Sequence, residues 1–138
     1  MTEDHDRGPG VRVIRPHERS TATAQTMGIR REAAIAPETT GATALWMGLA
    51  STPAGTVSAW HHRGDCETGI YVLRGHARFS WGPGGAESVE VGPGDFLAVT
   101  PHAVHREEAL GDEEFVMVLA RGCSGILSVD VDGPQGTR

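Results

Sequence analysis

The sequence predicts an all-β barrel, and two observations carry that prediction. Short apolar runs recur along most of the chain, and turn-forming residues separate them at a beat of about ten residues. The chain has 138 residues, nineteen of them Gly and eight Pro. These fall between the apolar runs rather than inside them, as a many-turned β protein requires and a helical bundle does not tolerate. A chain of this length fits one domain and buries about two-thirds of its unfolded surface.

The expected strands cover 43–50, 55–62, 68–74, 76–82, 87–91, 95–100, 114–121 and 126–131. Thr52-Pro53-Ala54-Gly55, Gly64-Asp65, Gly82-Pro83-Gly84-Gly85, Gly92-Pro93-Gly94 and Gly111-Asp112 stand between them and favour tight turns. Ahead of this series, 11–15 reads as a first short strand, and Arg30-Arg31-Glu32-Ala33-Ala34 reads as a short helix. Residues 1–10 are polar and end in Gly-Pro-Gly, which predicts a loose tail. The expected domain runs over 11–134, with a second short tail at 135–138. Phe115 to Leu119 and Ile70 to Leu73 are apolar on both strand faces, so a homodimer is expected to cover part of the outer surface.

Charge and composition exclude several partners. Twelve basic residues against eighteen acidic ones give a net charge of −6, with no basic stretch to track a phosphate backbone, so no nucleic-acid partner is expected. No apolar run approaches the ~20 residues that span a bilayer. The acidic first ten residues lack a signal-peptide pattern, which points to the cytoplasm. Cys66 and Cys123 are too few for a disulfide framework and read as free thiols.

Chemistry concentrates in two stretches. In Trp60-His61-His62-Arg63, strand alternation places His61 and Arg63 on one face and Trp60 and His62 on the other. The second stretch, Gly94 to His105, carries another histidine just after Pro101. His76 and Arg78 alternate with Phe79 and Trp81 on the following strand. The acidic group Glu107-Glu108 with Asp112-Glu113-Glu114 reads as a solvated loop. Asp130-x-Asp132-Gly133 lacks the closing glutamate of a calcium loop.

Gly55, His61, Gly75, Gly94 and His105 match the two motifs of the cupins, and Glu67-Thr68-Gly-Ile-Tyr-Val-Leu and Val104-His105-Arg106-Glu107 resemble the flanking text of short single-domain bacterial cupins. The resemblance implies a double-stranded β-helix, the jelly-roll barrel, with a short N-terminal extension. It also implies one divalent ion (Fe, Mn, Ni or Zn) at the barrel mouth, and a small-molecule substrate. The first motif is degenerate. Arg63 stands where its second histidine belongs, and the glutamate position falls on Glu67 or Thr68 according to the end from which it is counted. In the second motif His102 replaces a glycine and Ala109 the closing asparagine.

The expected ligand set is therefore His61, Glu67 and His105, serving metal-assisted oxygenation or isomerisation in an enzyme of dioxygenase or isomerase type. A metal-free alternative uses His61 and His105 as acid and base, with Arg63 holding an anionic group as an isomerase, epimerase or cyclase would need. His76 joins Arg63 as a candidate substrate-binding residue in either case. A non-catalytic small-molecule-binding or regulatory module is the third reading.

Overall fold

The computed structural model describes residues 9–123 and 128–135. Most of both expected tails, and the start of the run expected at 126–131, lie outside them. Among the described residues the ten strands are β1 (Arg30–Ile35), β2 (Trp46–Thr52), β3 (Trp60–His62), β4 (Thr68–Arg74), β5 (His76–Trp81), β6 (Glu87–Val91), β7 (Phe96–Val99), β8 (His105–Leu110), β9 (Phe115–Arg121) and β10 (Val129–Val131). They form two five-stranded antiparallel sheets, ordered β1-β2-β9-β4-β7 and β10-β3-β8-β5-β6. This is the jelly-roll barrel the resemblance implied.

Alternation builds the interior. Along β9, Phe115, Met117, Leu119 and Arg121 point inward while the residues between them are half-buried outside. Ile70 and Val72 of β4, Ala77 and Phe79 of β5, and Val91 of β6 join them in an apolar core with Ala50 and Trp46 of β2. Phe79 packs edge-on to Phe115 at 6.1 Å between ring centroids, a favoured aromatic geometry. Gly75 makes the β4–β5 corner at φ 79°, where an added Cβ would meet the Glu114 carbonyl oxygen at 2.5 Å. Only glycine fits that turn.

Three local expectations are corrected. Residues 11–15 are in no strand, and Val11 and Val13 are exposed; no neighbouring strand offers a ladder to them. Residues 30–34 are β1 rather than a helix: their helix-forming side chains are overridden by pairing with β2, which turns Arg31 and Ala33 inward. Residues 105–110, read partly as a solvated acidic loop, are the central strand β8, with His105, Glu107 and Ala109 buried.

The cysteines are also corrected, since Cys66 and Cys123 form a disulfide. The β4–β9 ladder sets Thr68 opposite Arg121, and continuing that register by two residues on each strand brings the cysteines face to face, 5.9 Å apart at Cα. The bridge closes a sequence separation of 57 residues. Neither cysteine is therefore the free thiol expected from the sequence. Reduction, or Cys123→Ser, should lower unfolding free energy by about 2–4 kcal/mol, measured by denaturant titration with and without reductant.

Candidate metal and anion site in the barrel interior

The site begins with one strand pair. β3 and β8 meet with His61 directly opposite His105, and both side chains point inward, 4.3 Å apart between ring centroids. His61 is 0% exposed and His105 3%. Each Nδ1 lies near the carbonyl oxygen two residues earlier, Ala59 at 2.9 Å and Ala103 at 3.0 Å. A carbonyl can only accept, so both Nδ1 atoms carry the proton and both Nε2 atoms present a lone pair to the interior. Neither Nε2 has a hydrogen-bond partner among the described residues.

Two residues after His105 on the same strand face, Glu107 is 0% exposed, and neither carboxylate oxygen has a partner among the described residues. Ser58 accepts the Glu107 backbone N–H at 3.0 Å and so fixes the strand beneath the side chain. Donor atoms of His61, His105 and Glu107 all lie within 4.8 Å of one another. Ligand atoms about 2.1 Å from one ion lie at most about 4.2 Å apart, so small inward shifts of these side chains would draw the set around one ion. The donor set therefore fits a divalent metal: two neutral imidazole lone pairs and one carboxylate, all buried and otherwise unpartnered.

Burial dominates the electrostatics. It pushes the His61 pKa down to about 2, helped by the neighbouring His105 and Arg63. It pushes His105 down to about 4, against the Ala103 hydrogen bond, with Arg63 and Arg31 adding to the depression. Burial drives Glu107 up to about 7, while Arg31 and Arg63 pull it back. Arg63 lies well below the ordinary guanidinium range, first through desolvation and then through Arg31 and Arg121, with Glu107 opposing. Arg121 is lowered to about 10, again mainly by desolvation, and its guanidinium stacks over Trp46 at 4.4 Å.

The expected site residues divide clearly. His61, His105 and Arg63 come together in the interior. Glu67 is exposed and does not reach the histidines; Thr68, one residue on, has the inward parity and is buried, so the motif's glutamate position is filled by a hydroxyl. The carboxylate arrives from β8 instead, as Glu107. His76 is exposed on the outer face of β5, against Gly92, because Ala77 and Phe79 take the inward positions. His62 points outward, its Nδ1 accepting the Gly64 N–H at 3.0 Å. Trp60 packs beneath Arg106, 4.6 Å from its ring centroid, and Tyr71 packs on Phe96. Three buried charged residues were missed, Arg31, Glu107 and Arg121. Arg31 was assigned to a helix and Glu107 to a loop, although the alternation His105-x-Glu107-x-Ala109 was visible.

A cavity of about 420 Å³ reaches His105 from the gap between the edge strands β6 and β7, lined by Phe79, Val91, Leu97, Val99 and Ala103. The motif glycine that became His102 keeps the backbone it would have needed, at φ 62°. His102 there holds Asp65 at 2.6 Å.

The family model for the cupin domain matches residues 48–121, more than half of the chain. The chain belongs to the cupin family. Among solved structures, an oxalate decarboxylase mutant from Bacillus subtilis superposes with TM-score 0.68 at 18% identity, covering 79% of this chain and 29% of that one. The formate complex of Lactobacillus farciminis oxalate decarboxylase gives 0.67 at 14%, covering 78% and 33%. This cupin thus spans about a third or less of those enzymes. An uncharacterised Klebsiella pneumoniae protein with a double-stranded β-helix domain gives 0.63 at 17%, covering 87% and 91%. No curated protein matches the sequence. At these identities the likeness shows the fold, and no helix among the described residues is long and apolar enough to cross a membrane.

The Thr68 hydroxyl is buried without a partner among the described residues. Thr68→Val, which keeps the shape and removes that hydroxyl, should leave stability unchanged or raise it by about 1 kcal/mol, measured by denaturant unfolding.

Proposed function

We propose that this cupin is a metal-assisted enzyme acting on a small molecule held in the barrel interior, with His61, His105 and Glu107 as the metal ligands. The observation that carries this reading is the convergence of two imidazole lone pairs and one carboxylate, all buried and within 4.8 Å. Two histidines and a carboxylate form a set suited to iron and similar divalent ions. A bound ion would supply Lewis-acid polarisation of a substrate oxygen or one-electron chemistry, consistent with oxygenation or isomerisation.

The chain's own residues do the rest. Ala59 and Ala103 lock both imidazoles in the tautomer that ligates. Burial counts against acid–base catalysis, because it lowers the His61 pKa to about 2 and the His105 pKa to about 4 and so leaves both Nε2 atoms weak bases. Phe79, Val91, Leu97 and Val99 line the approach to His105 with apolar side chains. Untagged protein should bind one Fe, Mn, Ni or Zn ion per chain, measured by elemental analysis and by titration of chelator-treated protein. His105→Ala and Glu107→Gln should each weaken binding at least about 10-fold, and Glu67→Gln should leave it unchanged. Equal loss in Glu67→Gln, or no binding by the wild type, would overturn this ligand set.

A homodimer is proposed on a separate observation. The outer face of the β2-β9-β4-β7 sheet carries Met47, Val118 and Tyr71 beside Phe96, which is 79% exposed. Burying such a face is favourable at roughly 25 cal/mol per Å². Light scattering should give twice the chain mass; a monomer at all concentrations would refute the dimer.

A further inference from the structure

The interior holds more positive charge than its own residues compensate. Arg63 is 1% exposed, and none of its three guanidinium nitrogens has a hydrogen-bond partner among the described residues. Arg31 is fully buried; its Nη1 donates to the Thr26 hydroxyl at 2.8 Å and the Ala24 carbonyl at 3.4 Å, while Nε and Nη2 are without partners. The one buried acid among the described residues is Glu107, and it forms no ion pair with either arginine. Three buried guanidiniums, Arg31, Arg63 and Arg121, thus stand against one buried carboxylate, and Arg121 is the one stacked on Trp46. Buried guanidiniums are ordinarily paired and hydrogen-bonded, because desolvation otherwise opposes folding.

We propose that Arg31 and Arg63 form a buried clamp for the carboxylate of a small substrate whose remaining body is apolar. This deepens the reading of the barrel interior as the substrate chamber and rests on it. Arg63 follows His61 inward by two residues on the same face, so an anion held by its guanidinium lies on the side of the imidazoles. A planar guanidinium presents two parallel donors, the geometry a carboxylate accepts. The excess of buried positive charge calls for an anionic group, and a carboxylate is one that a guanidinium fork holds. The apolar body follows from the cavity reaching His105, whose lining includes Phe79, Val91, Leu97 and Val99.

Arg63 is also carried on a fixed backbone. Its own carbonyl accepts the Cys66 N–H at 3.2 Å, Gly64 is tied to His62 and to His102, and Cys66 is bonded to Cys123. The loop is built around an inward guanidinium. An arginine placed there only for stability would have a partner.

The test uses chelator-treated full-length protein, with thermal shift and calorimetry as readouts. The probes are benzoate and butyrate, their neutral amides, and inorganic phosphate. Both carboxylates should raise the melting temperature in a saturable manner, and the amides should not. Arg63→Met should raise the melting temperature of anion-free protein, since it removes an unpaired buried charge, and should weaken carboxylate binding at least about 10-fold. If Arg63→Met fails to fold, Arg63→Lys and Arg31→Met should show the same loss of affinity. Stabilisation by phosphate alone, no carboxylate response in either metal-free or metal-loaded protein, or a response that survives Arg63→Met would overturn the clamp. The metal reading stands or falls separately. An Arg63-dependent carboxylate response in protein that binds no metal would retain the clamp and remove the metal centre; stoichiometric metal with no carboxylate response would do the reverse.

Discussion

The site depends on the pairing of β3 with β8 that sets His61 opposite His105. From that register, parity dictates the rest. Glu107 follows His105 inward by two residues, Arg63 follows His61 inward by two, and His62 and Arg106 are sent outside. A shift of one residue would exchange the inner and outer sets, burying His62 and expelling every donor from the chamber. The ladder is short, and two bonds between Ser58 and Glu107, Ser58 N–H to the Glu107 carbonyl and Glu107 N–H to the Ser58 hydroxyl, extend its hold on the register. Chemistry and strand pairing are here the same constraint.

The interior sets two kinds of packing side by side. Phe79, Phe115, Met117, Leu119, Ile70 and Val72 form an apolar core that offsets the conformational entropy of ordering the chain. Arg31, His61, Arg63, His105 and Glu107 occupy positions where the same strands could have carried aliphatic side chains. Their polar atoms have lost water and gained few partners, so each reduces the stability the barrel would otherwise have. A chain that keeps several such groups together in one chamber has traded folding free energy for a preorganised set of donors and acceptors.

Much of this was legible in the amino-acid sequence. The turn rhythm and apolar runs gave a β barrel, and β4 and β6 were bounded to the residue. Strand parity separated His61 and Arg63 from His62. What escaped notice depended on contacts distant in sequence. The tendency of residues 30–34 to form a helix is a local property, whereas their pairing with β2 is not. Glu107 sat beside another glutamate, and composition suggested solvent where alternation pointed to the core. Glu67 and Thr68 could not be separated by counting, because the spacer length in the first motif varies; only the register against Arg121 shows that Thr68 faces inward. The disulfide depended on that same register.

The Arg63–Glu67 loop is pinned along its length: His62 accepts from Gly64, His102 donates its N–H to Gly64, Cys66 donates to Arg63, Gly122 donates to Glu67, and the disulfide ties Cys66 to Cys123. Ordering entropy that a flexible loop would lose at each binding event has here been lost once, during folding. Association with a rigid chamber of this kind is governed by access through the β6–β7 gap rather than by loop closure. In a reduced chain part of that entropy would return, and ligand affinity and cysteine oxidation state would become two readings of one equilibrium.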